Sequence, residues 1–149
     1  MDLSGLKWPL IIVLLVGGGW LFTSGGVNWL VAQSTKATPG VDAARDVRDE
    51  AMLSRVGGYS MRLWKYEKAL ECFQLAIDRY GEGGKNYWYN TYRQVRCYER
   101  IGNPQTAVQI LTYLIDNAAS THDPRVPEND NLGLIRNKLN ETFELGETQ

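Results

Sequence analysis

Polarity divides the chain into two unequal parts. Over positions 8–33 no residue is charged, and from 10 to 32 nearly every residue is apolar or small. A bilayer core of about 30 Å takes roughly 20 such residues in a helix. The run therefore predicts a single transmembrane helix over 8–33, behind a short tail at 1–7. A cleaved signal peptide has a shorter apolar region, about 7–15 residues, and a small-x-small cleavage site. Thr35-Lys36-Ala37 matches that site poorly, so a retained anchor is expected. Trp8 and Trp29 stand near the ends of the run, where indole rings favour the headgroup boundary.

A linker is expected at 34–49, where Ser34, Thr35, Thr38, Pro39 and Gly40 break the pattern. Asp42 is a candidate N-cap for a helix beginning within it. From Glu50 onward apolar residues recur at i, i+3, i+4 and i+7, the stripe of a helix packed on one side. Five helices are predicted, at 51–63, 66–80, 87–101, 105–118 and 131–145. The clearest stripes are Ala69, Leu70, Phe73, Ala76 and Ile77, then Ala107, Val108, Leu111, Leu114 and Ile115. Leu132, Ile135, Leu139 and Phe143 form a third. Gly81, Gly83 and Gly84, then Gly102-Asn103-Pro104, then Pro124 and Pro127 mark the breaks. No stretch alternates with period two long enough to make a strand. The fold class expected is all-α: one N-terminal transmembrane helix, then a helical domain over 50–145.

Two of the helix pairs align with each other. Trp64-Lys65-Tyr66 through Asp78 sits against Gly102-Asn103-Pro104 through Asp116, bringing Ala69 over Ala107 and Phe73 over Leu111. Leu53, Val56, Gly57, Tyr66, Ala69, Phe73 and Ala76 fall where a tetratricopeptide repeat has large, large, small, aromatic, small, aromatic and small residues. In the second unit Val95, Tyr98, Gly102, Ala107 and Leu111 match, while Gln94 and Leu114 depart and the linking loop is longer. The segment thus resembles the tetratricopeptide repeat family, whose unit is a helix–turn–helix of about 34 residues. The resemblance covers positions 50–118, with repeats at 50–83 and 88–119, and implies a short α-α superhelix. Such units need about three to stack stably, and the helix at 131–145 is expected to cap the array.

In that family the first helix of each pair lines a concave groove for peptides or partner helices. By position the groove here would present Ser54, Arg55, Gly58, Met61 and Arg62, then Tyr89, Tyr92, Arg93, Arg96 and Arg100. Independently of the resemblance, the last five are three or four residues apart and share one helix face. An arginine row beside tyrosines suits an acidic or carboxylate-ending segment, because guanidinium makes paired, directional hydrogen bonds to carboxylate. A solvated charged face is the competing reading. A second candidate surface is the glycine set of the apolar run. Gly18 and Gly25, and likewise Gly19 and Gly26, are about two helical turns apart and would share one side of a single helix. A partner helix could approach closely there. Equally, glycine is common in membrane helices.

Charge and chemistry narrow the picture further. The 149 residues carry a formal net charge of -1, too few excess cations for bulk nucleic-acid binding. Cys72 and Cys97 lack metal-ligand spacing and are expected as small buried residues, with a single bridge as the alternative. His122, in a loop beside Asp123 and Pro124, is expected at the surface rather than as a base. Gly81-Glu82-Gly83-Gly84 lacks the lysine that completes a phosphate loop. No catalytic residue, cofactor or metal is expected. The partners expected are other proteins, lipid and membrane helices, and the location a bacterial inner membrane. Bases near the run favour the domain inside. A short tail with one lysine favours it outside, the extracytoplasmic reading adopted here. The function implied is an anchored scaffold or assembly factor. The alternative is a constitutive subunit of a large membrane complex.

Overall fold

The computed structural model describes residues 4–21 and 23–143, so the ends of the tail at 1–7 and of the helix expected at 131–145 lie outside the described residues. The described chain is all-helical, with no strand. The uncharged run is not one helix. It forms α1 (Ser4–Leu21) and α2 (Ser24–Ser34). Thr23 separates them in extended conformation, φ -79° and ψ 163°. Its hydroxyl donates to the Trp20 carbonyl (2.6 Å) and accepts from the Gly26 amide (3.3 Å). One side chain thus closes α1 and opens α2, satisfying backbone groups that a continuous helix would pair internally. Among the described residues no single helix is long and apolar enough to cross a membrane; α1 and α2 qualify only as a pair, bent by 77°.

The two halves differ in what they touch. In α1 the apolar side chains from Leu10 to Val16 are all exposed. In α2, Val27 and Val31 are buried with Leu53, Val56, Cys72 and Ala76 in one cluster. Burying each valine contributes about 1.5–2 kcal/mol, which draws α2 onto the domain.

The linker expected over 34–49 is shorter than that. Asp42 accepts from the Ala44 and Arg45 amides and starts α3 (Ala43–Arg62). The eight-residue stretch before it is tied down at two points. The Arg79 guanidinium donates to the Ala37 carbonyl, and the Gly40 amide donates to Asp46 (2.8 Å).

The remaining helices are α4 (Tyr66–Tyr80), α5 (Tyr87–Arg100), α6 (Pro104–Asp116), the one-turn α7 (Ala119–His122) and α8 (Asn129–Thr142). Each of α3 to α6 packs on its successor, and α8 closes the array on α6. Ala69 and Ala107 are fully buried. Ala69 sits with Phe73 and Cys97 where α4 meets α5. Ala107 lies in the larger core with Val95, Leu111, Leu114, Leu132 and Leu139. Phe143 departs from the expected stripe: α8 ends one residue before it and its ring is exposed.

Candidate functional site

Two glycines of α3 leave room for side chains that reach it from α4 and α5. A β-carbon on Gly57 would collide with the Phe73 ring, and one on Gly58 with the Arg93 guanidinium. Arg93 crosses Gly58, donates to the Ser54 carbonyl (3.0 Å), and stacks over Phe73 (4.4 Å) and Tyr89 (5.1 Å). Below it the Ser54 hydroxyl donates to Asn90 Oδ1 (2.7 Å). Burial pushes the Arg93 guanidinium below its ordinary range, yet arginine stays charged. Arg93 is therefore a structural cation that joins three helices.

Two adjoining pockets, about 670 and 470 Å³, open along this seam and share Gly58, Arg62, Tyr89 and Arg93. The larger also takes Tyr92, Arg96 and Arg100, and the smaller takes Arg55. All the residues of the expected groove named from α3 and α5 thus border one concave surface. Arg55, Arg62, Arg96 and Arg100 are exposed and, among the described residues, pair with no carboxylate. Among the described residues Glu99 is the one acid lining either pocket. Burial, with Tyr89 nearby, raises the Tyr92 hydroxyl above its usual value, so it remains a neutral hydrogen-bond donor.

Sequence reasoning missed three residues that shape this surface. Glu50 is 3 % exposed and accepts from the Lys85 (3.0 Å) and Asn86 (2.7 Å) amides, placing an anion at the start of α5. Arg125 is the second. It grips Asp123 through two hydrogen bonds (2.9 and 2.7 Å), reaches Asn86 Oδ1 (3.0 Å) and the Lys85 carbonyl (3.1 Å), and lies over Tyr89 (4.6 Å). It closes the far end of the smaller pocket. Burial alone would raise the Asp123 carboxyl, but the hydrogen bonds from Arg125 outweigh it and hold the group below its usual range. The third is Trp64, in the turn between α3 and α4, with φ 56°. The turn closes through Trp64 N to Met61 O (3.1 Å) and Lys65 N to Ser60 O (2.9 Å). The turn between α5 and α6 repeats it, with Gly102 N to Glu99 O (3.3 Å) and Asn103 N to Tyr98 O (2.9 Å). There glycine holds the left-handed position, at φ 82°. In that region a side chain costs roughly 1–2 kcal/mol.

The expected glycine strip does not form. Gly18 and Gly19 belong to α1 but Gly25 and Gly26 to α2, so the break at Thr23 destroys their common face. Among the described residues nothing lies within 4 Å of where a β-carbon would stand on Gly17, Gly18 or Gly19, whereas Gly26 is buried. His122 lies on α7 rather than in a loop, exposed, with its ring stacked on Trp88 at 4.9 Å. Cys72 and Cys97 are free and buried in separate clusters, and burial pushes both thiols up to about 11. Among the described residues no group of His, Cys, Asp or Glu could hold a metal ion. What the surface offers is a line of charge-bearing hydrogen-bond donors flanked by aromatic rings. Set against family models, curated proteins and solved structures, the chain matches none of them.

Proposed function

We propose that the chain is a membrane-anchored, tetratricopeptide-like interaction module, acting as a scaffold or assembly factor rather than an enzyme. It would capture an acidic or carboxylate-ending segment of another protein in the groove between α3 and α5. In this reading α1 enters the bilayer, α2 stays on the domain, and the groove faces the extracytoplasmic side of a bacterial inner membrane. The observation that carries the proposal is the charge imbalance of the groove: among the described residues Arg55, Arg62, Arg96 and Arg100 stand exposed without carboxylate partners, against Glu99 alone. Such a surface attracts and orients acidic partners.

The test separates the exposed arginines from Arg93, whose loss would damage the packing. Full-length protein is purified in mild detergent with Arg96→Glu and Arg100→Glu, beside wild type and the matching lysine pair. Charge reversal should remove the associated protein, and lysine should retain part of it. An unchanged set of companions in all three samples would sink the groove as a receptor. Protease accessibility in sealed membranes reads the sidedness.

A second reading, a constitutive subunit of a large membrane complex, draws on the bareness of α1. Its apolar side chains are exposed, and its glycines leave space for a neighbouring helix. Replacing Gly17, Gly18 and Gly19 by leucine should then release the chain from its complex, while the arginine variants stay bound.

A further inference from the structure

The two inter-helix turns are an internal control. Both close with the same hydrogen bonds and both demand a left-handed residue at the same place. One uses glycine, the residue suited to that backbone, and the other uses tryptophan, among the least suited. A tryptophan held there for packing would be buried, but Trp64 is 77 % exposed. Among the described residues its ring makes no stacking, cation or hydrogen-bonded contact. What the position does provide is a place at the mouth of the larger pocket, beside Arg62, Tyr66, Arg96 and Arg100.

We propose that Trp64 is the specificity anchor of the groove, receiving an apolar side chain of a partner segment whose neighbouring carboxylates are held by Arg62, Arg96 and Arg100. This rests on the groove being a receptor for protein. Charge selects the acidic character of the occupant, because the pocket carries exposed cations and, among the described residues, a single acid. Shape selects a peptide over a bilayer, because a pocket of about 670 Å³ admits side chains that a flat lipid surface cannot insert. Tryptophan and arginine are also the residues in which binding hot spots are enriched.

The experiment uses full-length protein in mild detergent and two short glutamate-rich peptides, identical except for a central phenylalanine or alanine. Binding is followed by fluorescence anisotropy of the labelled peptides. Wild type should prefer the phenylalanine peptide. Trp64→Gly, which copies the turn at Gly102, should weaken that peptide about five-fold, the scale of one aromatic contact. It should leave the alanine peptide unchanged and hold or raise the melting temperature, by about 3 °C if the strain is released. Trp64→Phe should keep most of the preference. A lower melting temperature for Trp64→Gly would make the residue structural and overturn the inference. So would an unchanged preference in Trp64→Gly while Arg96→Glu with Arg100→Glu abolishes both peptides, although the groove itself would then stand. Failure of wild type to bind either peptide removes groove and anchor together. Loss of binding to phosphatidylglycerol vesicles by Trp64→Gly, with peptide preference intact, would assign the indole to lipid and end the proposal.

Discussion

α1 and α2 are cut from the same uncharged run, yet one is bare and the other is part of the fold. α1 exposes its apolar side chains on every side, as a helix does when lipid or other helices are to surround it. α2 turns Val27 and Val31 into the cluster formed by α3 and α4 and leaves Trp29 outside, 6.1 Å from Trp20. Hydropathy alone cannot separate these fates, because lipid and a protein core are both apolar surroundings. The difference lies in what stands opposite: Leu53, Val56 and Cys72 give α2 a surface to cover.

The largest test of that division places charge in each half. Val27→Asp with Val31→Asp would bury two unpaired carboxylates and should destabilise the domain by about 4 kcal/mol or more, read from denaturant unfolding in mild detergent. Val13→Asp with Val16→Asp in α1 should leave the unfolding midpoint alone and abolish sedimentation with membranes. Equal stability losses from both pairs would erase the distinction.

The thiols give a local version of the same question. With burial holding both at about 11, native Cys72 and Cys97 should resist iodoacetamide at pH 8, because thiolate is scarce below the pKa. Loosening α2 by the double valine substitution should speed labelling at Cys72, which shares its cluster, by about tenfold or more. Cys97, packed between α4 and α5, should change far less. Peptide mapping after alkylation distinguishes the two sites.

A control belongs at the other end of the domain. Asp123→Asn should cost about 1 kcal/mol, the value of a charged hydrogen-bonded pair with one half-exposed partner. Because the folded Asp123 carboxyl lies below its ordinary range, its contribution is present above the unfolded value near pH 4 and is lost as pH falls through the folded one. Wild-type stability should therefore fall more steeply in acid than that of Asp123→Asn. The effect should add to the valine substitutions, since among the described residues the hydrogen bonds of the Asp123–Arg125 pair run to Lys85 and Asn86 and none reaches α2. Coupling between them would mean that α2 reaches further into the domain than its contacts indicate.

The smallest effect is expected at Gly17, Gly18 and Gly19. Alanine there meets nothing within 4 Å among the described residues and favours helix by about 0.5–1 kcal/mol per site. Far-UV circular dichroism should show equal or greater helix content with the domain midpoint unmoved. Lost association in these variants would instead support a partner helix against α1.

The helices of the domain were legible because their stripes are amphipathic: Ala69, Phe73 and Ala76 recur at helical spacing and all three are buried. The break at Thr23 was not, since threonine, serine and two glycines carry no charge and pass a hydropathy window unnoticed. A hydroxyl ahead of paired glycines was the available signal, read as a cap rather than as polarity. In the groove, the arginine face of α5 followed from three- and four-residue spacing. Arg125 and Glu50 did not, because each acts across a long stretch of chain, on Asn86 and its neighbours, and no local periodicity records such a reach. Trp64 was visible in the repeat alignment opposite Gly102, but only the backbone angle gives that mismatch its meaning.

The pinned stretch between α2 and α3 has a mechanical result. A flexible leash would let the groove sweep a volume around its attachment point and dilute it there. With Arg79 holding Ala37, Asp46 holding Gly40 and α2 seated on the hairpin, there is no slack to pay out. Whatever grips the N-terminal helices sets the height and heading of the arginine surface as well, like a bracket bolted to a wall.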